Sequence, residues 1–251
     1  MLNYNRLIAC GVAGSGIALK NRGIIGASGA QSGVDFDKDN ILCYYQFCEA
    51  SGDLINKATL ANGFDDGLGN AQDGTVGSGV TYGASGIIDD AYDFDATRNS
   101  YVHLGSNIIS GTGAYSINVW LYHDLESGND TAVVGNTSVE LLIYQASSDH
   151  YVGGRSPTLD TTSTIPLNNW NMVTYTRSQS GTAKIYFDGT FEATNTNTLN
   201  IGSGQWEIGW RPSGTEEWHG KIDEMILADR ELTADEVTKL YNGGAGFNLL
   251  G

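Results

Sequence analysis

Basic residues are scarce in this sequence: 13 Lys and Arg stand against 29 Asp and Glu, a formal net charge of -16. A surface of that sign repels phosphate backbones, which argues against a nucleic-acid partner. Cysteine is sparse too, with Cys10, Cys43 and Cys48 the only three. In an extended strand Cys43 and Cys48 would lie about 16 Å apart and face opposite ways, beyond disulfide reach. No Cys-x-x-Cys pair is present. The fold is therefore expected to need no disulfide framework, with all three thiols serving as small apolar fillers. No apolar run approaches the roughly 20 residues of a membrane-spanning helix, so no membrane insertion is expected. The "LIAC" at residues 7–10 imitates a lipoprotein cleavage box. Its apolar run of Leu7, Ile8 and Ala9 falls short of the about 7 to 15 residues of a signal peptide.

Catalytic signatures are missing as well. There is no Gly-x-Ser-x-Gly elbow for a serine nucleophile. The four histidines, His103, His123, His150 and His219, have no zinc-protease spacing. Glycoside cleavage needs two carboxyl groups about 5 to 9 Å apart in one groove. "YDFDA" offers Asp93 and Asp95 on one face but no third acid in register, and "KIDEM" places Asp223 and Glu224 on opposite faces. The chain reads as a non-enzyme.

What the sequence does have is glycine, tyrosine and short apolar runs. Its 34 Gly and 3 Pro punctuate segments rich in Val, Ile, Thr and its 13 Tyr, the composition of many strands joined by turns. "ILCYYQF" (41–47) reads as a strand, and "DDAYDFDATRNSYVHLG" (89–105) as two strands around a polar turn. In "YSINVWLYH" (115–123), Ile117, Val119 and Leu121 share one face and Asn118, Trp120 and Tyr122 the other. In "NWNMVTYTRS" (169–178), Val173 and Tyr175 oppose Met172, Thr174 and Thr176. "GTAKIYFDGTFEAT" (181–194) is a hairpin whose Asp188-Gly189 pair suits a type I′ turn. "WEIGW" (206–210) and "KIDEMILA" (221–228) complete the strands. Strands at this spacing without intervening helices pair antiparallel. So many of them need two packed sheets, giving an all-β sandwich or jelly roll.

Both ends differ from this texture. Residues 1–40 are Gly, Ala and Ser with scattered aliphatics and no period. Such a segment loses much backbone entropy on ordering and has little apolar area to offset it. It is expected to be an extended N-terminal arm that orders against a partner and anchors the jelly-roll domain, residues 41–251. A wrap over its own domain is the alternative. Near the other end, Thr233 and Glu236 form a capping box, with Leu232 and Val237 placed as a hydrophobic staple. Ala234 to Tyr241 then makes about two turns, and Gly243-Gly244 supplies a left-handed stop. A helix so short must dock its apolar side on the sandwich.

Four ordered blocks carry a resemblance: "DFDATRNSYVHLG", "YSINVWLY", "NWNMVTYTRSQSGTAKIYFDGT" and "WHGKIDEMILADRELTADEVTKLYNGG". Together they resemble the laminin-G-like, concanavalin-A-like jelly-roll superfamily over residues 41 to 246. The ending "LYNGGAG" also resembles laminin-G-like domains on structural proteins of tailed bacteriophages. The resemblance implies a two-sheet antiparallel β-sandwich. It also implies a Ca2+ site on the convex side, held here by Asp223 and Asp95 with backbone carbonyls near Phe47. The plainer alternative is that Asp223 makes surface hydrogen bonds and Asp95 caps a turn. A second acidic loop holds Asp65, Asp66, Asn70 and Asp73 without EF-hand spacing. Glycan binding on this fold uses exposed aromatic faces. Trp206, Trp210, Trp218 and Tyr151 lie near turn-rich segments and are the candidates, whereas Trp120 and Trp170 are placed in the core.

Two functions follow as expectations. The first is a non-enzymatic virion structural protein, a capsid decoration, fibre or tail component that displays the domain for attachment to a surface or host glycan. It would bind other capsid or tail proteins through the arm and assemble as a symmetric homo-oligomer such as a trimer. The second is a calcium-dependent carbohydrate-binding module of a secreted or cell-surface protein.

Overall fold

The computed structural model describes residues 36–64, 72–95, 99–124, 131–138, 140–146, 149–155, 159–210 and 216–251. Between 140 and 155 it describes the backbone and the Leu141 side chain. Residues 1–35 of the expected arm, and Asp65, Asp66 and Asn70, lie outside this description.

Along the chain come β1 (Ile41–Tyr45), β2 (Thr75–Val76), β3 (Val80–Ser85), β4 (Asp90–Asp95) and β5 (Val102–Ser106). Then follow β6 (Tyr115–His123), β7 (Thr131–Gly135), β8 (Glu140–Ala146), β9 (Asp149–Arg155) and β10 (Leu159–Asp160). The last strands are β11 (Trp170–Arg177), β12 (Thr182–Phe187), β13 (Thr190–Thr196), β14 (Gln205–Ile208) and β15 (His219–Ala228), before helix α1 (Ala234–Tyr241). They form two antiparallel sheets. One runs β13-β12-β11-β6-β15-β4-β3, with β1 also paired to β15, and the other runs β10-β9-β8-β7-β14-β5-β2. This is the expected all-β sandwich. The block at 89–105 does not form one hairpin: β4 lies in the first sheet and β5 in the second.

The alternation read from the sequence sets which side chains enter the core. Ile117, Val119 and Leu121 of β6 and Val173 and Tyr175 of β11 all face between the sheets. Ala183 and Ile185 do the same, with Phe187 packed against them. Asp188 and Gly189 have φ of 48° and 76°, the paired positive values that a type I′ turn demands.

A second apolar layer lies on the outer face of the first sheet, where Trp120, Met172 and Tyr186 meet Val237 and Leu240 of α1. The Tyr241 ring stacks on Trp120 at 5.7 Å and 13°. The capping box is present, with Thr233 accepting from the Glu236 N–H and Glu236 reaching back. Leu232 and Val237 are both buried, as a staple requires. The left-handed stop begins one residue earlier than the glycines, at Asn242 with φ of 49°. Phe36 and Leu249 join this same layer. The Arg230 guanidinium lies over the Phe36 ring and donates to the carbonyls of Asp37 and Asp39. Residues 36–40 therefore already pack on the sandwich.

One cysteine departs from expectation. Cys43 is a buried thiol outside any disulfide, as a small apolar filler should be. Cys48 is disulfide-bonded, to a partner outside the described residues. Spacing excludes a Cys43–Cys48 bridge but says nothing about a bridge to a distant residue.

Candidate functional site

The site is built where β2, β5 and β14 run side by side. Ile208 of β14 pairs with Val102 of β5, and both enter the core. Their neighbours Glu207 and His103, also paired with each other, therefore face outward, and Thr75 of β2 extends the row. Tyr101, two residues before His103, shares that face. Its ring centroid lies 4.1 Å from His103 and 5.8 Å from Trp210, and the His103 and Trp210 rings are 6.4 Å apart. All three rings are partly exposed. Gln72 crosses this face over Gly105, where a Cβ would collide with the Gln72 amide.

Beneath the rings lies a carboxyl group. Glu207 Oε1 is 2.7 Å from His103 Nδ1, with the Glu207 side chain only 5% exposed. That contact is an ion-pair approach whose angle falls short of a directed hydrogen bond. Glu207 Oε2, Trp210 Nε1 and Gln72 Oε1 are buried without hydrogen-bond partners among the described residues. Buried polar atoms of this kind are costly unless something supplies the missing bond. Burial alone pushes the Glu207 carboxyl up to about 7 and draws the His103 imidazole below its usual value. Burial thus favours the uncharged form of both groups. The patch offers flat aromatic surface beside an acceptor, a donor and an amide, which suits a ligand with one apolar face and several hydroxyls.

The expected glycan residues separate on inspection. Trp210 belongs to this patch. Trp206 and Trp218 do not: each is 0% exposed and lies in the inter-sheet core. The Trp206 side chain points inward with Ile208, two residues away, so neither it nor Trp218 has a face free for a sugar. Tyr151 lies on β9, and its side chain is outside the described residues. Trp170 is also corrected: it is partly exposed at the start of β11 rather than in the core. Tyr101, His103 and Glu207 had no motif to mark them. The signal for Tyr101 and His103 is the outward phase of "YVHLG", read against Val102 and Leu104, and for Glu207 its place between the buried Trp206 and Ile208.

The calcium residues do not come together. Asp95 pairs with His219 on β15, four residues from Asp223 and so about 13 Å along the strand. Asp223 is 0% exposed, so the surface alternative fails too. Its Oδ2 accepts the N–H groups of Ile87 at 2.9 Å and Ile88 at 3.1 Å, and its Oδ1 accepts that of Glu224 at 2.8 Å. A carboxylate already ringed by N–H donors is arranged as an anchor for the β3–β4 turn, not as a cation ligand. Burial pushes its carboxyl well up while the three donors oppose the rise. Among the described residues no group of three or more His, Cys, Asp or Glu could hold a metal. Asp95 and Asp223 thus do not fit a shared Ca2+.

A two-sheet antiparallel sandwich with a capped helix on one outer face and an aromatic patch on the other has the architecture of a lectin-like domain. Residues 95–238 match the family model of the concanavalin A-like lectin/glucanases superfamily, and the chain belongs to that family. No curated protein matches it significantly. Among solved structures, it resembles domain 4 of an extracellular GH43 arabinanase from Geobacillus stearothermophilus, in complex with arabinotriose. That match has a TM-score of 0.60 and 20% identity, and covers 79% of this chain and 97% of that one. The binding domain of Paraclostridial Mosquitocidal Protein 1 follows at TM-score 0.61 and 14% identity, covering 82% of this chain and 52% of that one. The receptor binding domain of botulinum neurotoxin type G gives 0.58 and 16%, covering 82% and 51%. The chain thus spans about half the length of those two toxin structures. At such identities the likeness is one of fold.

Proposed function

We propose that the chain is a non-catalytic carbohydrate-binding module that seats a glycan on Tyr101, His103 and Trp210. The observation that carries this reading is a pair of buried atoms without a hydrogen-bond partner among the described residues, Glu207 Oε2 and the Nε1 of Trp210 itself, within that aromatic patch. A sugar hydroxyl supplies both the donor and the acceptor they lack. The arabinotriose held by the arabinanase domain supports the ligand class. Calcium has no part in this reading.

The disulfide at Cys48 supports an extracellular or cell-surface setting, because such bonds persist in oxidising surroundings. Display on a phage particle, anchored by residues 1–40 in a homo-oligomer, is the setting suggested by the "LYNGGAG" ending. None of the relatives named above is a virion protein. Incorporation of a chain lacking residues 1–38 into particles would refute that anchoring.

A glycan array followed by titration calorimetry tests the binding function. A neutral oligosaccharide is expected to bind, and Trp210→Ala to weaken it at least tenfold. Undiminished affinity in Trp210→Ala would overturn the site.

A further inference from the structure

The outer face of the first sheet holds a second aromatic row, partly exposed among the described residues. Even-numbered positions of β6 point outward: Trp120 lies under α1, and Tyr122 lies beyond the helix. Trp170 of β11, Tyr122, Lys221 of β15, Asp93 of β4 and Thr81 of β3 fall in one register line across five strands. Four strand spacings make that line about 19 Å long. The Trp170 and Tyr122 rings meet edge-on at 5.7 Å and 62°, and the Lys221 ammonium sits 4.4 Å from the Tyr122 centroid. One position further along, His219 Nδ1 contacts Asp124 Oδ1, and both side chains are partly exposed.

We propose that this line is a second binding site for neutral glycan, on the sheet opposite the Trp210 patch. It rests on the same ligand class as the function proposed above but shares no residue with it. The rings supply an apolar surface at one end. Lys221 as donor and Asp93 as acceptor stand beside it, the combination that grips adjacent hydroxyls. Charge selects against acidic sugars: Asp93, Asp95 and Asp124 outnumber Lys221 on this face even when His219 is protonated, within a chain of net charge -16. With one site on each sheet, a single module bridges two polysaccharide chains. Bridging gains avidity from effective concentration rather than from new contacts.

Affinity electrophoresis of the full chain through gels containing arabinan, mixed-linkage β-glucan or xylan tests this, with alginate as the anionic control. Trp170→Ala and Lys221→Met are each expected to reduce retardation tenfold or more in the neutral gel that retards wild type. The Trp170→Ala, Trp210→Ala double variant should run freely, and either single variant should no longer precipitate the polysaccharide. Wild-type retardation and precipitation by both Trp170→Ala and Lys221→Met, with loss in Trp210→Ala, would overturn the second site and leave the first. Loss only in the β11 and β15 variants would do the reverse. Strong retardation by alginate would overturn the neutral assignment, and no retardation of wild type in any gel would overturn both sites. A Trp170→Phe variant that keeps partial retardation guards against misfolding as the cause of loss.

Discussion

Glu224 follows Asp223 directly, yet both carboxyl groups lie on the outer side of β15. The register of β15 against β6 shifts between Asp223 and Ile226, and Glu224 adopts a φ of 47°. That β-bulge adds one residue, so the alternation that should separate the two side chains is broken. Glu224 is buried and accepts the Tyr44 hydroxyl, which in turn accepts the N–H of Leu249 at 3.2 Å. Burial first, and then the charge of Asp223, push the Glu224 carboxyl well above its usual range.

A group whose folded-state value is raised holds its proton longer in the native chain than in the unfolded one. Stability therefore falls as pH climbs from the unfolded carboxylate range toward the folded value, and stays lower above it. Glu224→Gln keeps an acceptor for Tyr44 and removes that loss. Its unfolding free energy at pH 8 is expected to exceed wild type's by on the order of 1–3 kcal/mol, with the two converging near pH 4. Denaturant titration at both pH values decides; a variant less stable at pH 8 would defeat the account.

The helix contributes through its cap and its stack. Thr233→Ala removes the side chain that accepts from the Glu236 N–H, which is expected to cost about 1 kcal/mol. Tyr241→Ala uncovers Trp120 and is expected to cost more, with a red shift in tryptophan emission before the main transition. If the two variants unfold at the wild-type midpoint, α1 is an ornament on the sheet.

Core and surface tryptophans should respond oppositely. Trp206→Ala empties a fully buried site and is expected to cost about 3–5 kcal/mol. Trp210→Ala is expected to cost less than about 1 kcal/mol while losing glycan affinity. Calorimetric melting paired with sugar titration separates them, and equal losses of stability would place Trp210 in the core instead.

The patch should also respond to pH. Glu207, with its carboxyl raised to about 7, contributes stability that declines as pH rises from the ordinary carboxylate range to about 7. His103, lowered by burial, has the opposite sign, with stability lost as pH falls below its unfolded value. Glycan affinity is expected to change between pH 6 and 8 as Glu207 turns from donor to acceptor, and Glu207→Gln to flatten that profile. An unchanged profile in the variant assigns the dependence elsewhere.

The fold was legible wherever one face of a strand is apolar and the other polar. β6, β11 and β12 fall in register as their alternation requires, and Thr233 with Glu236 marked the helix. β3 and β9 escaped notice because "VTYGAS" and "DHYVGGR" mix glycine with weak alternation. The binding patch was only half legible. Trp210 was named for its nearness to turns, yet the same criterion admitted Trp206 and Trp218. Parity alone does not separate them, since Trp206, Ile208 and Trp210 are all even-numbered; the left-handed Gly209, with φ of 80°, breaks the alternation before Trp210. The resemblance offers Asp223 as a ligand, but a carboxylate in sequence does not reveal whether N–H groups or a cation will meet it.

Phe36 and Leu249 lie together in the helix-side layer, whereas Tyr101 and Trp210 sit on the other sheet. Phe36, where the described residues begin, and Leu249, near their end, thus share one flank. The Trp210 surface is thus presented on the side away from Phe36 and Leu249, like the palm of a hand turned from its back.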